Sequence, residues 1–273
     1  MKILRILVFF VFIGRAWQHL FWDVPFRELL WDEEKMSGIV AFLFKTDWAI
    51  YISSPSVNFW IDNTSVVWGV FYIICAVATL LFSEQRKWLG GWLIAGSVSL
   101  FLLSLLYWLE KFMSIGQLLE LTLQVGSPLI LYFFIKKPSF DTLFFIKIII
   151  ALTFIGHGSY ALGWYPVPAH FVQMMIDGFG VNEVNALLFL KIVGVVDIIA
   201  AIGLFVPALI RVSLWYCIIW GILTAFARLV ANWDMNIPLE TLHRWWFEVA
   251  FRLVHGGIPL LTWRMVTSKH PPF

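Results

Sequence analysis

Residues 88–109 read WLGGWLIAGSVSLFLLSLLYWL, without one charged side chain. As an α-helix the stretch rises about 33 Å at 1.5 Å per residue, enough to cross a hydrocarbon core about 30 Å thick. The same reading extends along the chain in both directions. Apolar runs of spanning length fall at roughly 4–22, 62–82, 88–109, 117–135, 142–162, 185–206, 212–231 and 245–263. Eight such runs in 273 residues leave no room for a water-soluble domain. The expected fold class is an all-α integral membrane protein of about eight transmembrane helices. The first run follows Lys2 and Arg5 as a signal peptide would, but no small-residue cleavage site follows, and Arg15 and His19 break its apolar core. It reads as a retained first helix.

Hydrophobic residues make up 61% of the chain and charged residues 13%, the composition of a chain dissolved in lipid. A net charge of +2 with no basic patch excludes nucleic acid as a partner. Cys75 and Cys217 fall inside apolar runs, form no CxxC, and read as small packing residues. Orientation follows from Lys and Arg in the short loops. With the N-terminus inside, the inner segments hold Lys2, Arg5, Arg86, Lys87, Lys136, Lys137, Arg211, Arg264 and Lys269 against Glu84 and Asp141. The opposite segments are acidic, as in Asp23, Glu28, Asp32, Glu33 and Glu34 against Arg27 and Lys35. The expected location is the inner membrane of a bacterium, with both termini cytoplasmic. The partner is the lipid bilayer, with other membrane or periplasmic proteins as further candidates. Outer segments at about 26–60 and 167–184 follow proline turns and are rich in aromatic and charged residues, which suits short amphipathic helices on the periplasmic surface.

An internal repeat runs through the chain. Phe12-Ile13-Gly14-Arg15 recurs as Phe154-Ile155-Gly156-His157 at an offset of 142, where Leu20 also meets Leu162 and Trp22 meets Trp164. Arg86 and Trp108 match Arg211 and Trp233 at an offset of 125. Gln117, Gln124, Gly126 and Pro128 face Glu248, His255, Gly257 and Pro259 at an offset of 131. The order of these matches predicts two four-helix units, 1–137 (with a periplasmic amphipathic insertion at 23–61) and 138–273. Four spans followed by four give both units the same orientation.

The stretch Phe154-Ile155-Gly156-His157-Gly158-Ser159-Tyr160-Ala161-Leu162 resembles the first-helix signature of DoxX-like membrane proteins, an FxxHGxxKL-type pattern, with Ala161 standing where the pattern has Lys. In the first half Arg15 stands at the His157 position and Ala16 at the Gly158 position. The resemblance implies four-helix units, here two in tandem. A weaker resemblance is to the HTTM domain of vitamin K-dependent carboxylase-like proteins. Both imply quinone-linked or oxidoreductase chemistry.

Ionisable residues inside apolar runs cost roughly 2.5–3.5 kcal/mol each on insertion scales. Here they are Arg15, His19, His157, Lys191, Asp197, Arg228, Glu248, Arg252 and His255. Arg244, Glu248, Arg252 and His255 recur at i, i+4, i+8 and i+11, one face of the last span. That face reads either as an Arg244–Glu248–Arg252 ion-pair ladder or as a wall for an anionic head group. Arg15 with His19, His157 with Tyr160, Glu120 with Gln124, and Arg228 fall at matching depth in the outer half of their spans. Asp197, near mid-membrane, needs a donor, expected from Arg15, Arg252 or a histidine.

No two histidines are spaced i, i+4 and no metal motif is present, while His157 and His255 could ligate a haem between the fifth and eighth spans. The ligand-binding candidates are thus Arg15, His19, His157, Tyr160, Asp197, Arg228, Arg244, Glu248, Arg252 and His255. They predict a periplasm-facing cationic, histidine-containing pocket for an amphipathic lipid- or quinone-like molecule, in a membrane oxidoreductase subunit or a lipid-handling enzyme. A transporter or channel, or a structural subunit of an envelope complex, are the alternatives.

Overall fold

The computed structural model describes residues 1–22, 24–137 and 141–268; Asp23 and Lys269, which entered the loop charge balance, and the histidine His270 lie outside the described residues. Every regular element among the described residues is helical. The first spanning run forms α1 (Lys2–Phe21). Three short helices follow: α2 (Phe26–Leu30), α3 (Glu33–Phe44) and α4 (Trp48–Ser53). The carboxylate of Asp32 caps α3 by accepting from the Lys35 amide at 3.1 Å. Then come α5 (Pro55–Leu81), α6 (Gly90–Glu110), α7 (Ile115–Glu120) and α8 (Thr122–Lys136). In the second half, α9 (Thr142–Leu162) starts at an Asp141 cap and stops at Gly163, whose φ of 81° admits the left-handed turn. It is followed by α10 (Ala169–Phe179), α11 (Glu183–Gly203), α12 (Ile210–Ala231) and α13 (Pro238–Thr267).

Seven helical segments are long and apolar enough to cross a membrane, so the chain is an all-α, multi-pass membrane protein. The last helix, α13, has 30 residues, about 45 Å. Its load of Arg244, Glu248, Arg252 and Arg264 keeps it out of that apolar class. Two boundaries differ from the sequence reading. Helix α5 starts at Pro55, about two turns before the apolar run at 62, because a helix can continue into polar surroundings where hydropathy gives no signal. The fourth run is broken at Leu121 into α7 and α8, and the Thr122 hydroxyl bonds the Leu119 carbonyl at 2.7 Å at the break.

The core lies between the halves. Leu4, Val8, Val11 and Phe12 of α1 pack with Leu123 and Leu131 of α8, Ile146 and Ile150 of α9, and Val254 and Ile258 of α13. The outward faces are apolar and exposed, as at Val67 and Val70 of α5, Val195 and Ile199 of α11, and Ile219 of α12. Contiguous exposed apolar surface on this scale belongs against lipid tails.

Close helix approaches recur at the sequence offsets. A Cβ at Gly14 would stand 2.8 Å from the Phe247 carbonyl oxygen and 3.1 Å from the Ala250 Cβ. At Gly156 it would stand 2.9 Å from both the Gly116 carbonyl oxygen and the Leu119 Cβ. Gly69 packs on Ala16 and Leu20, and Gly194 on Gly158 and Leu162. Gly126 packs on Ile149, and Gly257 on Leu7. The partners within these pairs of contacts are 142, 125 or 131 residues apart. Helix α1 therefore meets α13 in the register in which α9 meets α7.

Candidate functional site

A cavity of about 1610 Å³ opens among the ends of α1, α6, α7, α9, α11, α12 and α13, under α10. It is larger than the ~300–1,000 Å³ of drug-sized pockets. Of the sequence candidates, Arg15, His157, Tyr160, Asp197, Arg228, Glu248, Arg252 and His255 line it. His19 and Arg244 do not. His19, one turn beyond Arg15, turns toward α5 and is buried in edge contact with Tyr72 at 5.1 Å, with Nδ1 2.7 Å from the Arg15 carbonyl oxygen.

The polar wall is built from α13 and α12. Glu248, 8% exposed, accepts from Arg228 Nη1 at 2.5 Å through one carboxylate oxygen and from Arg252 through the other. The pair that neutralises Glu248 is therefore Arg228 and Arg252. Arg244, the expected partner one turn outward, is exposed and finds Glu240 at 3.2 Å, because its helix end has already left the packed bundle while α12 brings Arg228 across. The second guanidinium nitrogen of Arg228 meets His170 Nε2 at 2.9 Å. His170 is exposed on one side of its ring. Burial of the other side, then the positive charge of Arg228, hold it down to about 3.

Arg15, which α1 brings against α13, is 3% exposed. Its Nε and Nη2 donate to Gln124 Oε1 at 3.1 and 2.6 Å, and Nη1 donates to Gln18 Oε1 at 2.7 Å. The guanidinium lies 4.0 Å over the Phe251 ring. No carboxylate among the described residues comes within ion-pair distance of it, leaving a buried charge balanced only by dipoles and a π face. At the equivalent point on α9, offset by 142, stands His157, in edge contact with His255 at 5.3 Å and 3.9 Å from a Glu120 oxygen. Gln124 corresponds to His255 and Phe251 to Glu120 at the offset of 131, so the two arrangements share a register with different chemistry.

Both ring nitrogens of His255 and the Nε2 of His157 are buried without a hydrogen-bond partner among the described residues. Buried polar atoms of this kind call for a partner. The two rings are in contact, which leaves no space for a porphyrin plane between them and removes the bis-histidine haem arrangement. Among the described residues, no three His, Cys, Asp or Glu side chains gather as a metal site would require.

Asp197 is 1% exposed and accepts from the Tyr216 hydroxyl at 2.8 Å. The expected cationic donor is replaced by a neutral phenol from α12, an inter-helix partner that spacing does not reveal. Lys191 is exposed on the outer face of α11 and does not line the cavity. Tyr160 shares a hydrogen bond with Ser114 at 2.8 Å.

Gln18, Tyr107 and Gln117, none of them among the ligand-binding candidates expected from the sequence, also line the cavity. Gln18 donates to the Tyr107 hydroxyl at 2.6 Å, and Gln117 to Glu120 at 2.9 Å. Gln18 is one turn beyond Arg15 on the same face, a readable signal; Tyr107 carries none. The other side of the cavity is apolar, formed by Phe154, Met174, Leu190, Val193, Trp220 and Leu223. Comparison with family models, curated proteins and solved structures finds no match to this chain.

Proposed function

We propose that this chain is a bacterial inner-membrane protein of two tandem, DoxX-like four-helix units, 1–137 and 138–273. In this reading α13 is the eighth span and both termini are cytoplasmic. The recurring glycine approaches at three offsets support the repeat, and the Lys and Arg balance of the loops supports the orientation. Its periplasm-facing cavity binds an anionic or quinone-like amphipath as part of a lipid-handling or membrane redox activity.

The observation that carries this reading is Arg15, a guanidinium 3% exposed in the cavity wall with no carboxylate partner among the described residues. A ligand anion or carbonyl oxygen supplies the missing acceptor. His157 and His255 then exchange hydrogen bonds or a proton with the same head group. The apolar wall opposite takes the hydrocarbon part, so the cavity is matched to a molecule with one polar and one apolar end. The cavity lining reaches no deeper than about the middle of the spanning helices, at Asp197 and His255, and the inner part of α1 (Leu4, Val8, Val11) is packed and apolar, which favours a binding site over a through-passage.

The test is mass spectrometry of small molecules released from protein purified in mild detergent. Wild type should carry an amphipath in near-stoichiometric amount. Arg15→Gln, which removes the charge and keeps one side-chain amide donor, should lose most of it. An amphipath retained undiminished by Arg15→Gln, or none in wild type, would refute the assignment.

A further inference from the structure

A second, much smaller void lies on the first-half side of the molecule. It measures about 20 Å³, room for one water, and is lined by His19, Phe26, Trp68, Tyr72, Ser99, Leu102, Leu103 and Leu106. Carried forward by 142 residues for the first two and by 125 for the others, all eight positions fall on residues lining the large cavity. The two spaces are the same place in the two halves. What differs is what fills them.

Along this slot the first half is bulky where the second is small. His19 is matched by Ala161 and Trp68 by Val193. Leu102 and Leu106 are matched by Ala227 and Ala231. Tyr72, whose hydroxyl accepts from Ser99 at 2.9 Å and whose ring stacks on Phe12, is matched by Asp197. Leu103 is matched by Arg228, which brings a cation to the outer end.

From this we infer that the second half carries an open slot for one hydrocarbon chain, between α11 and α12, whose first-half twin is closed by an aromatic plug built on Tyr72 and His19. The inference rests on the amphipath reading of the cavity and adds the place, number and class of the bound chain. The slot runs from Trp220 to Ala231 along α12, about 16 Å at 1.5 Å per residue, or one leaflet of a ~30 Å core. Its mouth is lateral: Phe179, Leu223, Phe226 and Val230 line the cavity and are also exposed on the lipid-facing surface. His255, 2% exposed and without a hydrogen-bond partner among the described residues, lines the same cavity as the slot. An acyl or isoprenoid chain therefore enters from the outer leaflet, with its polar end among Arg15, Arg228 and the histidines. The plug also explains His19, which is a packing residue of the closed slot.

The experiment is photo-crosslinking of the full chain in detergent with two probes, a diazirine-bearing hexadecanoic acid and a diazirine-bearing isoprenoid quinone, followed by peptide mapping. One or both probes should label 190–231, with no more than one adduct per chain; which probe labels more strongly distinguishes an acyl from an isoprenoid source. Closing the slot with the first-half residues, Ala227→Leu with Ala231→Leu, should cut labelling about tenfold, equivalent to ~1.4 kcal/mol, without lowering thermal stability. The matching change in the plug, Leu102→Ala with Leu106→Ala, should leave labelling of 190–231 unchanged. Undiminished labelling in a folded Ala227→Leu, Ala231→Leu variant would overturn the slot, as would wild-type adducts in α5 and α6. Adducts confined to α9 and α13 would keep the amphipath reading and overturn the slot alone. No labelling by either probe would overturn both.

Discussion

Removing the Glu248 carboxylate separates an ion-pair scaffold from an incidental contact. Glu248→Ala leaves Arg228 and Arg252, whose side chains are 22% and 15% exposed, with no carboxylate among the described residues in ion-pair contact. Removing one partner of a buried pair costs roughly 3–5 kcal/mol, and the residual exposure of both arginines sets the expectation at the lower end, about 3 kcal/mol. Arg252→Ala is gentler. Glu248 keeps Arg228 at 2.5 Å, so the loss is that of one charge-assisted hydrogen bond, about 1.5 kcal/mol. At roughly 2–4 °C per kcal/mol for chains of this size, Glu248→Ala should lower the melting midpoint by roughly 6–12 °C and Arg252→Ala by roughly half as much. Glu248→Gln, which keeps one acceptor, should fall between. The assay is thermal denaturation of the three purified variants in one detergent, followed by near-ultraviolet circular dichroism. If Arg252→Ala is the more destabilising, or Glu248→Ala leaves the midpoint unchanged, the carboxylate does not hold the two arginines and the described wall is wrong.

Two more outcomes are expected. Gly14→Ala and Gly156→Ala should each cost about 1–3 kcal/mol by overpacking, by similar amounts, while Gly38→Ala, with open space around it, should stabilise α3 by up to about 1 kcal/mol; a stabilised Gly156→Ala in the same thermal assay would contradict the α7–α9 contact. His170 is held below the ordinary imidazole range, so the unfolded chain takes up its proton first, and the stability that His170 confers is present above pH 6.5 and falls as pH drops toward about 3. Because one side of the ring is exposed, the effect is a fraction of full linkage. It should be seen as a narrowing midpoint difference between wild type and His170→Gln from pH 7.5 to pH 5; a difference that widens on acidification would contradict the assignment.

The spanning helices were legible because lipid demands one kind of side chain over about 20 residues, and residues 88–109 satisfy it without exception. The polar face of α13 formed by Glu248, Arg252 and His255 was legible for the same reason in reverse, since three ionisable residues at helical spacing inside an apolar run have one face to occupy; Arg244, just outside the run, does not line the cavity. Pairings between helices were not. From spacing alone Arg244 and Arg252 are equally good partners for Glu248; only the approach of α12 gives the place to Arg228. The donor to Asp197 was sought among cations, yet a phenol from α12 serves, because a neutral Tyr216 in an apolar run draws no attention. The start of α5 at Pro55 was hidden because hydropathy reports the lipid boundary and is silent about where the helix itself begins. The offsets of 142, 125 and 131 were visible as residue matches, but their use as a register between facing helices required the glycine contacts.

The charge load of α13 has a consequence for biogenesis. On insertion scales each arginine at a helix centre costs roughly 2.5–3.5 kcal/mol, so on the proposed topology this segment is a poor candidate for entering the bilayer alone. It emerges from the ribosome six residues behind α12, whose Arg228 is the partner of Glu248. The two helices are thus suited to leave the translocon as a hairpin, with the carboxylate already neutralised. A nascent chain stopped before residue 238 would lack the carboxylate that Arg228 meets at 2.5 Å.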